Sequence, residues 1–179
     1  MGTTDNLAIY RVTDDYIQFL QGIDHRIMDN RKEDGAVRVY LGTVYDIGVH
    51  KYFAPLTSYK EETHGNMKSS SQTYLFIKGK DRDEEEEAKI ALIYFNNMFP
   101  VTPSEIESID FSKERPKYRD LLEKEYRFIV QQQERIFKKA RNLYKLRTKK
   151  NPQPFFEDIC VDFKKLEQEY VNFGKKIVY

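Results

Sequence analysis

Apolar and polar positions divide the chain into a strand-like front and a helical back. Leu7 to Val12 is a short apolar run of strand character. Thr13 follows as an N-cap, Asp14 and Asp15 suit the positive start of a helix, and Tyr16, Phe19, Leu20 and Ile23 recur at helical spacing. Asp29 to Gly35 is a polar loop. From Ala36 to Ile47 the residues are β-branched and aromatic, with Val37, Val39, Leu41 and Thr43 on one face of a strand and Arg38, Tyr40 and Gly42 on the other. Gly48 permits a turn, and His50 to Ala54 reads as the return strand of a hairpin. Pro55 lacks a backbone donor and is expected to end that pairing. Leu56 to Ser71 reads as a surface loop, Thr73 to Lys78 as a strand and Ile90 to Asn96 as a central strand. Ile106 and Ile109 suggest one more short element.

The back of the chain changes period. Pro116 suits the first turn of a helix, and Tyr118, Leu122, Tyr126, Ile129, Gln133, Ile136, Ala140, Leu143 and Arg147 then recur every three or four residues. The pattern predicts one helix from about Pro116 to about Thr148, roughly 50 Å long if straight, so a bend is expected. Asn151 to Pro154 breaks it. Phe163, Leu166, Tyr170 and Phe173 form the stripe of a final helix closed by Gly174. The expected class is α+β in one domain over residues 1–179, strand-rich to about residue 110 and helical from about 111.

Composition narrows the functional classes. The 25 Tyr and Phe among 179 residues are too many for a disordered chain. A single cysteine, Cys160, excludes an internal disulfide and a multi-cysteine metal site. No run of 18 apolar residues spans a bilayer, and MGTTDNLAIYRV lacks a secretory signal pattern, so a soluble cytoplasmic protein is expected. The net charge of +1 hides an asymmetry. Asp81 to Glu87 nets −5, and Lys113 to Lys150 nets +9. A cationic segment of that density attracts polyanions through counterion release, although it also fits a solvated helix face.

Glycine-rich phosphate loops, GxSxG, HExxH and CxxC are absent, and His25, His50 and His64 lack metal-ligand spacing, so no metal or cofactor is expected. The informative stretch is Lys51 to Lys60, KYFAPLTSYK. After Pro55, two hydroxyls and an ammonium fall within four residues, a set that can face one oxyanion or form an ordinary polar turn. Lys68 and Ser69 to Ser71 repeat that chemistry.

These segments, in this order, resemble the ToxN/AbiQ family, the endoribonuclease toxins of type III toxin–antitoxin systems. The residues that carry the resemblance are Tyr16 in DDYIQFL, Ile23-Asp24, Gly42 in VYLGTV, KYFAPLTSYK, His64 with Lys68-Ser69-Ser70, and ALIYFNNMFPV at 91–101. The specific part is Ala54-Pro55-Leu56-Thr57-Ser58-x-Lys60 together with Asn97-Met98-x-Pro100, and Tyr59 departs from the more usual Pro. The resemblance implies a strongly twisted antiparallel sheet, partly closed toward a barrel as in the MazF and Kid toxins, with surrounding helices. It implies metal-independent RNA cleavage to a 2′,3′-cyclic phosphate and a 5′-hydroxyl. It also implies a small repeat RNA antitoxin of pseudoknot type in place of a protein antitoxin, a cyclic assembly with three of each, cellular and phage RNA as substrates, and a role in abortive phage infection.

Metal-free cleavage needs a base for the ribose 2′-hydroxyl, donors for the phosphorane and an acid for the leaving oxygen. Lys60 is the candidate for charge stabilisation or base, and Thr57 and Ser58 are candidate donors to the phosphate. Tyr16 and Arg38 match the family pattern, Tyr16 as a catalytic residue or stacking ring and Arg38 as an RNA-binding cation. Either also fits a structural role, Tyr16 in a core and Arg38 in a surface ion pair. His64, Lys68, Ser69, Lys139, Tyr144, Lys145 and Lys149 complete the expected RNA-binding set. A non-catalytic RNA-binding module and a protein-interaction domain are the competing classes.

Overall fold

In a computed structural model, residues 7–175 are described. Seven strands form one antiparallel sheet: β1 (Ala8–Val12), β2 (Tyr40–Ile47), β3 (His50–Ser58), β4 (Tyr74–Gly79), β5 (Ala88–Tyr94), β6 (Phe99–Pro100) and β7 (Ile106–Ser108). The order is β4-β5-β3-β2-β1-β7, with β6 paired to β3 off this path. Strand pairing leaves the sheet open, with β4 and β7 at its ends. The helices are α1 (Asp14–Ile23), α2 (Glu61–His64), α3 (Pro116–Gln131), α4 (Gln133–Thr148), α5 (Pro154–Ile159) and α6 (Phe163–Glu169).

α1 starts as its sequence directs. The Thr13 hydroxyl accepts from the Tyr16 amide, and Tyr16, Ile17, Leu20 and Ile23 are its buried stripe. β2 departs from simple alternation: Val39, Tyr40, Leu41 and Val44 are all buried, because both faces of this central strand are covered. A Cβ on Gly42 would lie 2.3 Å from the Phe53 ring, so this position has room for glycine alone.

Pro55 does not end β3, which runs on to Ser58. Along one edge β3 holds β2, with Tyr40 opposite Pro55. Along the other edge β6 pairs with Tyr52 and Phe53, and β5 pairs with Leu56 to Ser58. The Leu56 amide donates toward β2, to the Val39 carbonyl at 2.9 Å, so the missing Pro55 donor faces the gap between β6 and β5. The stretch expected to be a loop from Leu56 is therefore strand through Ser58, then the short α2.

The long helix is two helices. Gln132 leaves helical geometry at φ −106° and ψ 16°, between α3 and α4. α3 turns Leu122, Glu125 and Ile129 inward over β4, and α4 turns Ile136, Ala140, Leu143 and Tyr144 inward over β2 and α6. α5 opens with Pro154 at its first turn, where the sequence pattern gave only a break. The final helix gives way at Tyr170 to a 3-10 turn, and Gly174 takes φ 74° after it. Among the described residues no helix is long and apolar enough to cross a membrane.

One buried cluster joins the sheet to these helices, from Leu7 to Tyr170. Asp24 ties the C-terminal segment to α1. Its carboxylate accepts from the Arg26 amide at 3.0 Å, the Arg26 guanidinium at 2.9 and 2.8 Å, and the Asp162 amide at 2.7 Å. Arg26 also donates to the Glu157 carbonyl. Burial raises the Asp24 pKa, but the Arg26 and Asp162 donors outweigh it and leave it at about 2. A carboxylate depressed in the folded state adds stability that is present above the unfolded value and lost as pH falls through the folded one. Asp24→Asn is expected to cost about 2 kcal/mol at pH 7, the scale of hydrogen bonds to a charged acceptor. The gap between variant and wild type in thermal melts should close between pH 4 and pH 2.

Candidate active site

The end of β3 delivers Thr57 and Ser58, both half-buried, and Lys60 follows as the exposed residue that opens α2. The side chain that organises this end is Arg38. It is 7 % exposed and donates through Nε to the Asp29 carbonyl at 2.9 Å. Its Nη1 donates to the Leu56 carbonyl at 3.2 Å and to Thr57 Oγ1 at 2.6 Å. Arg38 therefore spends its donors on carbonyls and a hydroxyl, with no carboxylate among them. Among the described residues, the surface ion pair considered for it is not formed. Burial pulls its pKa below the usual guanidinium value. A buried cation with no carboxylate partner favours an incoming anion.

His64 shapes the turn that presents Lys60. The Lys60 amide donates to His64 Nδ1 at 2.8 Å, and the His64 amide returns a bond to the Lys60 carbonyl at 2.8 Å. With Nδ1 accepting, the neutral ring carries its proton on Nε2. His64 is 4 % exposed, and burial together with the Lys60 ammonium lowers its pKa.

Beside this cluster lies an aromatic patch that the sequence reading did not single out. Tyr59 packs on His64 at 5.6 Å and on Phe76 at 6.0 Å between ring centroids. Tyr74 reaches Phe76 at 5.6 Å and Tyr94 at 6.2 Å, and Lys89 Nζ stands 4.2 Å over the Phe76 ring. The signal was available in the period of two: Tyr74 and Phe76 share a face of β4, and Tyr94 lies opposite Tyr74 on β5. Thr57 lies opposite Leu92, so it shares this face with Tyr94.

Lys68 and Ser69 are exposed on the loop before β4, where the Tyr74 hydroxyl donates to the Lys68 carbonyl at 2.7 Å. That loop meets α4, since Lys139 Nζ donates to the Ser71 carbonyl. Lys139 and Lys145 line a cavity of about 350 Å³ with Gln72, Asn142 and Leu146. Burial and Arg135 lower the Lys139 pKa. Lys149 is exposed at the end of α4.

Two expected site residues lie in the core. Tyr16 is fully buried, its hydroxyl donates to the Pro100 carbonyl at 2.7 Å, and its ring meets Phe173 edge-on at 5.1 Å. Burial drives its pKa up. Tyr144 is 4 % exposed, stacks on Phe163 at 5.6 Å and donates to Glu167 Oε1 at 2.6 Å. Neither ring has a free face for a base. The resemblance pointed to Tyr16 and the basic segment to Tyr144, and both stand on buried helix stripes, of α1 and of α4.

A family model described as toxin ToxN, type III toxin-antitoxin system, matches residues 8–171. The chain belongs to the ToxN family. It is 30% identical over 183 residues to the endoribonuclease ToxN of Bacillus thuringiensis subsp. kurstaki, covering 98% of this chain and 89% of that one. It is 28% identical over 174 residues to the endoribonuclease ToxN of Pectobacterium atrosepticum, covering 95% of each. Among solved structures, one concerned with toxin inhibition by a non-coding RNA pseudoknot superposes with a TM-score of 0.80 at 29% identity, covering 96% of this chain and 100% of that chain. ToxN membership places the Thr57 to Lys60 turn and the Asn97 to Pro100 turn within the matched span.

Tyr16→Phe removes one buried hydrogen bond and leaves the Pro100 carbonyl without its donor. It is expected to lower stability by about 1 kcal/mol, read by denaturant unfolding.

Proposed function

We propose that this protein is an endoribonuclease toxin of a type III toxin–antitoxin system. In this reading it works in the bacterial cytoplasm, and Arg38, Thr57, Ser58 and Lys60 bind the phosphate that is cut. The observation that carries the reading is the Arg38–Thr57 bond at 2.6 Å, a buried cation without a carboxylate partner beside a hydroxyl, in a chain of the ToxN family.

The reaction uses RNA itself as nucleophile. The ribose 2′-hydroxyl gives up its proton to a base as its oxygen attacks phosphorus, the bond from phosphorus to the 5′-oxygen breaks, and the 5′-oxygen takes up a proton from an acid, so protons balance. The products are a 2′,3′-cyclic phosphate and a 5′-hydroxyl. Negative charge grows on the non-bridging oxygens in the transition state. Fixed donors aimed there are worth about 10²–10³ in rate each. Lys60 supplies a mobile ammonium, and Thr57 and Ser58 supply short donors fixed by strand pairing. Arg38 supplies charge from below. His64 holds the Lys60 main chain and acts as a positioning residue. The Tyr59, Tyr74 and Tyr94 patch offers rings on which single-stranded bases stack.

The inhibitor in this reading is a small repeat RNA of pseudoknot type, closed with the toxin into a ring of three and three. Lys139, Lys145 and Lys149 on α4, with Lys68 and Ser69 on the facing loop, contact its phosphates. The kinship with the MazF and Kid fold belongs to the same reading.

Wild type and Lys60→Ala are to be induced in bacteria and their new RNA ends mapped in EDTA-quenched lysates. Wild type is expected to arrest growth and leave cyclic-phosphate ends, and Lys60→Ala to lose at least about 10²-fold in cleavage rate. Cleavage unchanged by the substitution moves the chemistry away from Lys60. A folded wild type that binds RNA without cutting it makes the chain a binding module.

A further inference from the structure

The segment that carries Arg38 carries a second cation to the same side. The Arg38 amide donates to the Asn30 carbonyl at 2.7 Å, the Lys32 amide donates to the Ala36 carbonyl at 2.9 Å, and Arg31 bridges Val37 between them. Residues 30–38 thus form a small antiparallel hairpin. In such a pair, facing residues share a side and successive residues alternate. Asn30, Lys32, Ala36 and Arg38 stand on one side, and Arg31 and Val37 on the other. Lys32 and Arg38 are diagonal neighbours, roughly 7–8 Å apart, within reach of long side chains.

The hairpin is fixed at its base. The Tyr40 hydroxyl donates to Asn30 Oδ1 at 2.9 Å, and Asn30 Nδ2 donates to the Val12 carbonyl at 2.9 Å and to Asp14 at 2.7 Å. Arg31, on the opposite side, pairs with Asp14 at 2.8 Å. Lys32 makes no such surface pair. It is half-buried, and the charges facing it are Arg38, Glu125, Asp34 and Lys60. Burial and then Arg38 lower its pKa, and Glu125 opposes them.

We infer that Lys32 is a further phosphate-binding residue of the RNA site, standing beside Arg38 on one side of the hairpin. The inference rests on the functional reading given above and extends it to a residue outside the Thr57 to Lys60 turn. Its ligand is a backbone phosphate of single-stranded RNA. Lys32 binds it as a point charge.

The test uses the full chain made by cell-free synthesis and a fluorescent single-stranded RNA containing a mapped cleavage site, in EDTA. Lys32→Ala is expected to raise KM about tenfold with kcat little changed, the mark of lost uniform binding. The dependence of log affinity on log salt should fall by about 0.7, the value for one phosphate contact on a single strand. Lys32→Arg should restore both. A Lys32→Ala or Lys32→Gln variant with wild-type KM and salt slope overturns the Lys32 assignment while the wild type still cleaves. A wild type that cleaves nothing overturns the functional reading and this inference together.

Discussion

Strand β3 has two successive partners along one edge, and the architecture of the site follows from that. β6 occupies the edge at Tyr52 and Phe53, and β5 occupies it from Leu56 to Ser58. Between them one residue faces a gap, and a residue without an N–H costs nothing there. Proline at 55 is therefore compatible with a continuous strand. The consequence is functional. β3 carries Thr57 and Ser58 past the point where β6 has ended; β5 pairs with them on one side, and Arg38 donates to the Leu56 carbonyl and the Thr57 hydroxyl. The charged turn at Lys60 begins from a rigid base.

The electrostatics of that end run against the usual preference for paired charges. Arg26 meets Asp24, Arg31 meets Asp14 and Arg11 meets Glu114. Arg38 is more buried than any of these guanidinium groups and meets only neutral acceptors. Its desolvation is offset by three hydrogen bonds rather than by an opposite charge. The helices enforce this arrangement indirectly. α3 and α4 cover the sheet with apolar stripes, while the Asp24 network pins the segment after α4 to α1. The positive end of β3 is left facing the loops.

The break at Gln132 serves the same geometry. One straight helix of 33 residues would outrun the sheet. Two helices of 16 residues lie over different parts of it, α3 on β4 and α4 on β2 and α6. The bend brings Lys139 against the loop before β4, so the basic face of α4 and Gln72 of that loop border one cavity.

Local signals in the sequence determined the element types. The Thr13 cap, the apolar period of α3 and α4 and the left-handed Gly174 are each short-range features, and each is present where the pattern placed it. The Thr57, Ser58 and Lys60 turn was legible for the same reason, since its chemistry lies within four residues. Sequence alone could not separate a buried aromatic stripe from a binding ring, because both recur at helical spacing. Tyr16 and Tyr144 are resolved only by the Pro100 carbonyl and Glu167 that meet them. Nor could it single out Lys32, or show that Arg38 meets the Leu56 carbonyl and Thr57 rather than an acid. What a charge faces is set by which elements pack together, and that is a property of the tertiary structure.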